Sequence, residues 1–190
     1  MKRDLRAIVR EWIEILIVAI SVALVIRYYI VQSFEIPSGS MTPTLIERDR
    51  LFGNKFVYRF TDPRRADIVI FAYPKGPGRD FIKRTIAFPG EEISIINKTV
   101  FINGKPLYEP YAFFIRNSVW FDRDNYPCTV VPKSRFFMMG DFRDNSADSR
   151  FWGFVPRPNI KGQALVVFWP PYNSDAVRKS ARPFRLGIIR

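Results

Sequence analysis

The chain opens with one long apolar segment and then changes to short apolar runs. Residues 12–31, WIEILIVAISVALVIRYYIV, are predominantly apolar and correspond to about 30 Å of helix, enough to span a bilayer. Only residues 15–26 are free of charge, but Glu14 and Arg27 lie near the two ends, where long side chains reach the headgroups. The pattern predicts one N-terminal transmembrane helix.

Charge around this segment predicts its orientation. Four basic residues precede it in residues 1–11, whereas Arg48 and Arg50 are the first basic residues after it. By the positive-inside tendency, residues 1–11 are cytoplasmic, residues 12–31 form the anchor, and residues 32–190 form an extracytoplasmic domain.

A cleaved signal peptide is the alternative to an anchor. Ala19, Ser21 and Ala23 have the spacing of small residues that precedes a cleavage site. Cleavage there would leave the apolar stretch VIRYYIV at a new N-terminus. An uncleaved anchor is therefore favoured.

Beyond the anchor the apolar positions form short runs rich in Val, Ile, Phe and Tyr. Turn signals such as INKTV and INGKP separate several of them. No further long helical period stands out, and no repeat or linker divides the remainder. We expect a mostly β domain with a mixed sheet or a barrel-like arrangement. The predicted strands are residues 67–73, 80–88, 91–96, 99–102, 128–131, 135–140 and 164–169.

Composition and charge limit the class of partner. The chain is 47% hydrophobic and 16% aromatic, which is sufficient for a folded core. Its net charge of +12 suits either nucleic acid or anionic lipid. Because the basic residues are not interleaved with aromatic ones as a stacking platform requires, we expect membrane lipid and no nucleic acid.

Two absences narrow the chemistry. The sequence has no histidine, which excludes Ser-His-Asp and Cys-His mechanisms. Cys128 is the single cysteine, so neither an intrachain disulfide nor a cysteine metal cluster can form. We expect Cys128 to be a small buried hydrophobic residue.

Without histidine, a hydrolase can use a carboxylate pair, a metal held by carboxylates, or a Ser or Thr activated by Lys. In the run DFIKRTIAF, a strand places Lys83 on one face with Phe81 and Thr85, and Arg84 on the other. Burial on that face would lower the pKa of Lys83 toward that of a usable base. A solvated lysine on an edge strand is the alternative.

Residues 36–45, IPSGSMTPTL, contain a candidate nucleophile. Pro37 and Pro43 restrict the backbone and Gly39 admits conformations that other residues avoid, so neighbouring residues set the turn that carries Ser40. A linker between anchor and domain is the alternative interpretation of this composition.

Residues 140–156, GDFRDNSADSRFWGFVP, alternate acids, Asn, Ser and Arg too densely for a strand. They predict a loop held by internal hydrogen bonds and Asp–Arg pairs. Asp141, Asp144 and Asp148 could face a divalent cation, but the glycine and later glutamate of a calcium loop are missing. We therefore predict no metal site.

The motifs IPSGSM, DFIKRTIAFPGE and GDFRDNSADSRFWGFVP, in this order after an apolar segment, resemble bacterial type I signal peptidase (leader peptidase). The resemblance implies a serine endopeptidase that cleaves signal peptides from exported preproteins after small residues, at Ala-x-Ala sites. It implies a mostly β fold, with two antiparallel sheets in a barrel-like domain after one transmembrane helix. The implied location is the bacterial plasma membrane, with the domain on the outer face, and no metal or cofactor is needed. A membrane-anchored β domain that binds or scaffolds without catalysis is the alternative.

The resemblance also implies roles for individual residues. Ser40 is the nucleophile and Lys83 is its general base. Ser38 assists the backbone N–H of Ser40 in binding the oxyanion, and Ser146 hydrogen-bonds the lysine and orients it. Six residues match positions near the small apolar substrate pockets of the family. They are Phe34, Ile36, Met41, Leu45, Phe81 and Ile82.

The third motif contains one further pair of charged residues, and two positions of the chain depart from the family pattern. Asp148 and Arg150 are expected to form an ion pair that holds their loop beside the site. Phe142 stands where the family commonly has Asn, and Arg48 stands where it commonly has Gly. Neither change affects the implied Ser–Lys pair, but both concern the packing of their loops.

Overall fold

The computed structural model describes residues 5–29, 31–76, 78–169 and 187–188. It contains helix α1 (Leu5–Tyr29) and three single-turn helices, α2 (Val57–Phe60), α3 (Phe121–Asp124) and α4 (Ser149–Trp152). The strands are β1 (Val31–Glu35), β2 (Arg50–Asn54), β3 (Ile68–Ala72), β4 (Asp80–Ala87), β5 (Glu92–Ile96), β6 (Thr99–Ile102), β7 (Lys105–Pro106), β8 (Tyr126–Val130), β9 (Arg135–Met139), β10 (Val155–Pro156), β11 (Ile160–Trp169) and β12 (Gly187–Ile188).

Helix α1 covers most of the predicted anchor and leads into β1. Ile30 of that anchor, and residues 1–4 of the predicted cytoplasmic segment, lie outside the described residues. Among the helices that the structure describes, none combines the length and the apolar character needed to cross a membrane.

The strands form two antiparallel sheets. The larger has the order β1-β2-β11-β3-β4-β9-β10, with β12 paired to β11, and the smaller has the order β7-β6-β5-β8. Register shifts in β11 and near the end of β4 bend the larger sheet. The prediction of a mostly β chain with two antiparallel sheets is confirmed.

The seven predicted runs all contain strands, whereas β1, β2, β7, β10, β12 and the first half of β11 were not predicted. In β2, RLFGN, charged and glycine residues interrupt the apolar pattern that marks a strand. Gly53 packs closely there: an added Cβ would lie 2.7 Å from an Ile70 methyl carbon and 2.9 Å from the Phe34 ring, so these side chains would have to shift. The sequence of β2 therefore lacks the apolar pattern by which a strand is recognised, even though the strand packs closely.

Strand β9 lies between two hydrophobic cores. Phe136 and Met138 pack into one core, and Phe137 and Met139 pack into the other. This alternation follows from the two-residue period of a strand that is buried on both faces. The chain therefore continues directly from the hydrophobic interior into the loop that begins at Gly140.

Cys128 differs from its prediction. It lies on β8, at one side of the smaller sheet, and its side chain is exposed. The prediction of a buried cysteine is wrong. Most of CTVV belongs to an edge strand, and the local apolar pattern does not reveal which face of that strand is covered.

Candidate active site

Strand β4 carries Lys83 into the interior of the larger sheet. The strand pairs with β3 on one side and β9 on the other, so it is not an edge strand. Lys83 is 2% exposed, and its Nζ lies 5.8 Å from the centre of the Phe81 ring. The alternative of a solvated edge lysine is therefore excluded.

Ser40 lies in a 3₁₀ turn, Gly39–Met41, and is buried. Backbone hydrogen bonds from Thr42 N to Gly39 O (3.0 Å) and from Leu45 N to Met41 O (2.9 Å) close the turns around it. The Nζ of Lys83 hydrogen-bonds the Oγ of Ser40. The linker alternative is excluded, because residues 36–45 fold onto the strand that carries the lysine.

Burial lowers the pKa of Lys83 from 10.5 to about 8. The charges of Asp148 and Asp141 oppose this shift, and the charge of Arg150 adds to it. Among the described residues, no carboxylate forms an ion pair with Lys83. The lysine Nζ is therefore hydrogen-bonded to a hydroxyl and not to an anion. With its lowered pKa, the neutral amine is accessible at moderately alkaline pH.

The other two predicted serines lie close to this pair. Ser38 is exposed, with its Oγ 3.3 Å from the Oγ of Ser40. Ser146 is buried, and its hydroxyl is one of the groups that lower the pKa of Asp148. It forms no hydrogen bond with Lys83 among the described residues, although its Oγ lies against Gly140, which packs on the Ser40 turn.

Gly140 is a site residue that was not predicted. A Cβ added at this position would lie 2.5 Å from the Ser40 carbonyl oxygen and 2.7 Å from the Ser146 Cβ. No side chain fits there without moving the backbone of the nucleophile turn. Only the tertiary structure reveals this requirement, since the Ser40 loop is far from Gly140 in the chain.

Asp148 and Arg150 form the predicted ion pair. The Nε and Nη2 of Arg150 each lie 2.9 Å from a carboxylate oxygen of Asp148, which also accepts the Gly140 N–H at 3.1 Å. Burial alone would raise the pKa of Asp148, but the Arg150 charge and these hydrogen bonds outweigh it and lower the pKa. The pair therefore holds Gly140 and the loop after it in place.

Asp141, Asp144 and Asp148, the aspartates that could have faced a divalent cation, each form an ion pair with a different arginine. Asp141 binds Arg84, Asp144 binds Arg123 and Asp148 binds Arg150. Within the part of the chain that the structure describes, no three His, Cys, Asp or Glu residues are placed to hold a metal ion.

A cavity of about 410 Å³ opens beside Ser40 and Lys83. Four of the predicted pocket residues, Ile36, Met41, Phe81 and Ile82, line it. Leu45 is fully buried in the hydrophobic core and Phe34 packs against that core, so neither lines this cavity. Sequence reasoning did not identify three further lining residues, Pro37, Arg79 and Asp80.

Comparison with known proteins identifies the family. The family model described as signal peptidase, peptidase S26, matches residues 9–169. The chain belongs to this family. The resemblance derived from the three motifs is therefore confirmed, and the protein is a serine peptidase by family.

Individual relatives agree along most of their length. The chain is 40% identical to the probable signal peptidase I-1 of Synechocystis sp., over 85% of this chain and 83% of the relative. It is 41% identical to signal peptidase I of Leptolyngbya laminosa (84% and 79%) and 35% identical to signal peptidase I of Aquifex aeolicus (92% and 89%). The match therefore includes the sheets and the site, not one motif alone.

Proposed function

We propose that this protein is a membrane-anchored serine endopeptidase that removes signal peptides from exported preproteins, cutting after small residues at Ala-x-Ala sites. Relatives named signal peptidase I support the substrate class. The observation that carries the proposal is the hydrogen bond between the Lys83 Nζ and the Ser40 Oγ inside the larger sheet. A buried hydroxyl next to a lysine whose pKa burial has lowered is the arrangement that activates a serine without histidine.

The reaction is an acyl transfer in two halves. Neutral Lys83 accepts the proton of the Ser40 hydroxyl as the Oγ attacks the scissile carbonyl carbon. The resulting Lys83 ammonium gives that proton to the leaving amine as the peptide bond breaks and the acyl-enzyme forms. In the second half, the neutral Lys83 amine takes a proton from a water molecule as the water attacks the ester. Lys83 then returns the proton to the Ser40 oxygen as the acid product leaves.

The negative charge on the attacked carbonyl oxygen needs donors in both halves. We assign this role to the backbone N–H of Ser40 and the hydroxyl of Ser38, whose Oγ is 3.3 Å from the Ser40 Oγ. Loss of one such donor typically costs about 3 kcal/mol of transition-state stabilisation. Ser38→Ala should therefore lower kcat by about 100-fold without affecting the folded state.

Ser146 is proposed to orient the lysine. Its buried Oγ lies against Gly140, next to the turn of Ser40. After a change of side-chain rotamer this oxygen would accept a hydrogen bond from the Lys83 ammonium. The Asp148–Arg150 pair supports this arrangement by holding the same loop.

The substrate is proposed to lie in the cavity between residues 36–41 and β4. Its apolar lining includes Ile36, Met41 and Ile82, which leave room for small side chains beside the reacting carbonyl. The location next to Ser40 and Lys83 supports selection of Ala-like residues there. Phe34 and Leu45, which do not line this cavity, stay predictions as pocket residues.

Helix α1 is proposed to hold the protein in the plasma membrane, with residues 1–11 in the cytoplasm and residues 32–190 on the outer face. The support is its exposed apolar surface. An N-terminal epitope should be digested by protease in inverted vesicles, which expose the cytoplasmic face, and protected in intact cells; digestion of that epitope from the outside of intact cells would contradict the orientation. The exposed side chains are Val9, Trp12, Ile13, Ile15, Leu16, Ile17, Val18, Ile20, Val22 and Leu24.

The decisive experiment compares the full chain with Ser40→Ala and Lys83→Ala on a preprotein that carries an Ala-x-Ala site. Both variants should lose cleavage while remaining folded, whereas Lys105→Ala, an exposed lysine on β7, should retain it. Wild-type rates in either site variant would refute the proposal. A folded wild-type chain that binds the preprotein but is unreactive toward a serine-acylating reagent would favour the non-catalytic alternative.

A further inference from the structure

We propose that Thr44 is a positioning residue, which holds the nucleophile loop, residues 39–45, against the strand that carries the base by means of the buried Asp141 carboxylate. The inference rests on the proposed function, because positioning has meaning only if Ser40 and Lys83 react together. No motif reasoning singled out Thr44.

Asp141 is fixed relative to β4. Arg84, the residue after the base, donates from Nε to Asp141 Oδ1 (2.8 Å) and from Nη2 to Asp141 Oδ2 (2.6 Å). Neither side chain is more than 1% exposed. Arg84 also donates to the Ala66 carbonyl oxygen (2.8 Å), and its guanidinium lies 4.0 Å from the centre of the Tyr111 ring. These contacts therefore hold the Asp141 carboxylate in a fixed position relative to β4.

Asp141 and its neighbour contact the nucleophile loop at two points. The Thr44 hydroxyl donates to Asp141 Oδ2 at 2.5 Å, and the Phe142 N–H donates to the Ser40 carbonyl oxygen at 3.1 Å. Ser40 and Lys83 are 43 residues apart in the chain, so their alignment depends on such tertiary links. The Thr44 hydroxyl, which also lies 3.5 Å from Arg84 Nη2, forms a side-chain link that can be removed without altering the backbone.

Removing this hydroxyl should leave the ion pair intact. Thr44→Val keeps the β-branched shape, and Asp141 retains both hydrogen bonds from Arg84. The loop would then lose its side-chain hydrogen bond to Asp141 and keep the backbone hydrogen bond from Phe142 N–H to the Ser40 carbonyl oxygen. Because an error of about 1 Å in a reacting group can cost about 100-fold in rate, the expected effect is on kcat.

The experiment uses the full chain in detergent and an Ala-x-Ala preprotein peptide, and measures kcat, KM, the pH–rate profile and the rate of Ser40 acylation by a serine-directed reagent. Thr44→Val should lower kcat and the acylation rate together by about 10- to 100-fold, with KM within about 2-fold. The acid limb of the profile should stay at the wild-type pH, because Asp141 keeps its charge. Thr44→Ser should recover to within about 3-fold of wild type.

Thr129→Val is the matched control, since Thr129 hydrogen-bonds the Pro127 carbonyl oxygen on the smaller sheet (2.9 Å). Equal kcat in Thr44→Val and this control would overturn the inference. So would a change in KM alone, or a loss that disappears after correction for the folded fraction. Thr44→Ala gives the same comparison if the valine variant does not fold. An inactive wild-type chain whose Ser40 resists acylation would instead overturn the proposed function and this inference together.

Discussion

The two sheets bury different kinds of side chain. The strands of the smaller sheet bury four aliphatic residues, Ile93, Ile95, Val100 and Ile102. The larger sheet and the loop after β9 bury charged and polar groups as well. Burial of a charge costs free energy unless a partner compensates it, whereas burial of aliphatic surface stabilises the fold. Lys83 thus lies in the sheet whose buried side chains include charges that need compensation.

The buried guanidinium groups of β4 and of the segment after β9 differ from Lys83 in their partners. Each has a carboxylate within 3 Å, and these pairs are Arg84–Asp141, Arg143–Glu109 and Arg150–Asp148. Lys83 has the Ser40 hydroxyl instead. We infer that Lys83 can act as a base because its direct partner is a neutral hydroxyl and not a carboxylate.

The largest effect is expected from Lys83→Met. Activity should fall by about 1,000-fold or more, because Lys83 is the base that contacts Ser40 among the described residues. The pH–rate profile of the wild type should show an acid limb near the lowered pKa of about 8. A wild-type limb near the ordinary lysine pKa would contradict the role of burial.

The same variant tests the cost of burial. Folding lowers the pKa of Lys83 from 10.5 to about 8, so between these pH values the unfolded chain binds more protons and stability rises with pH. At pH 7 Lys83→Met should exceed the wild type by up to about 3 kcal/mol in free energy of unfolding. Denaturation at several pH values should show this gap closing above pH 8. A gap independent of pH would refute the explanation.

Asp141→Ala should cause the next largest loss. It leaves the Arg84 guanidinium buried without its carboxylate, which typically costs about 3 to 5 kcal/mol. Glu35→Ala is the control, because Glu35 and Arg50 form an exposed pair at 3.4 Å whose loss should cost less than about 1 kcal/mol. Equal effects in urea denaturation would show that burial does not distinguish the two pairs.

Ile95→Ala probes the smaller sheet. Truncation of this buried side chain should cost about 2 to 5 kcal/mol of stability, since it leaves a cavity in the aliphatic core. Cleavage per folded molecule should remain at the wild-type rate. Ile96→Ala, at an exposed position on the same strand, should change stability by less than about 0.5 kcal/mol. A fall in kcat at Ile95 would mean that the two sheets are not separable in function.

The smallest effect is expected at Arg48, in the turn before β2. Its φ of 69° lies in the left-handed region that favours glycine, the residue that the resemblance places here. Arg48→Gly should therefore stabilise the protein by about 1 kcal/mol, and its N–H can still donate to the Ile36 carbonyl oxygen. Arg50→Gly, in extended β2, should instead destabilise it. Destabilisation by both changes would exclude backbone strain at Arg48.

Phe142, the second departure from the family pattern, has a packing partner. Its ring centre lies 5.4 Å from that of Phe113, and the two residues form an isolated parallel bridge. The aromatic side chain thus fastens the loop that precedes α3 to the loop that follows β9. The sequence pattern could flag the departure but not supply Phe113 as its partner.

Local sequence was informative where one strand or one turn sufficed. The runs around Lys83 and in 91–102 were predicted from Val, Ile and Phe enrichment bounded by turns, and the structure has strands there. It failed for Cys128, because apolar CTVV does not reveal which face of β8 the smaller sheet leaves exposed. It also missed Gly140, whose requirement arises from Ser40 and Ser146.

The amino-acid sequence by itself determined the class of chemistry. The lack of histidine left few ways to activate a serine. The three motifs indicated the signal peptidase family and, through it, the pairing of Ser40 with Lys83. Those conclusions depend on residue types and their order, which are local properties. Tertiary structure decided that β4 is an interior strand, that its lysine meets a hydroxyl, and that Thr44 contacts Asp141. Burial, pKa and alignment arise from segments far apart in the chain, and only folding brings these segments together.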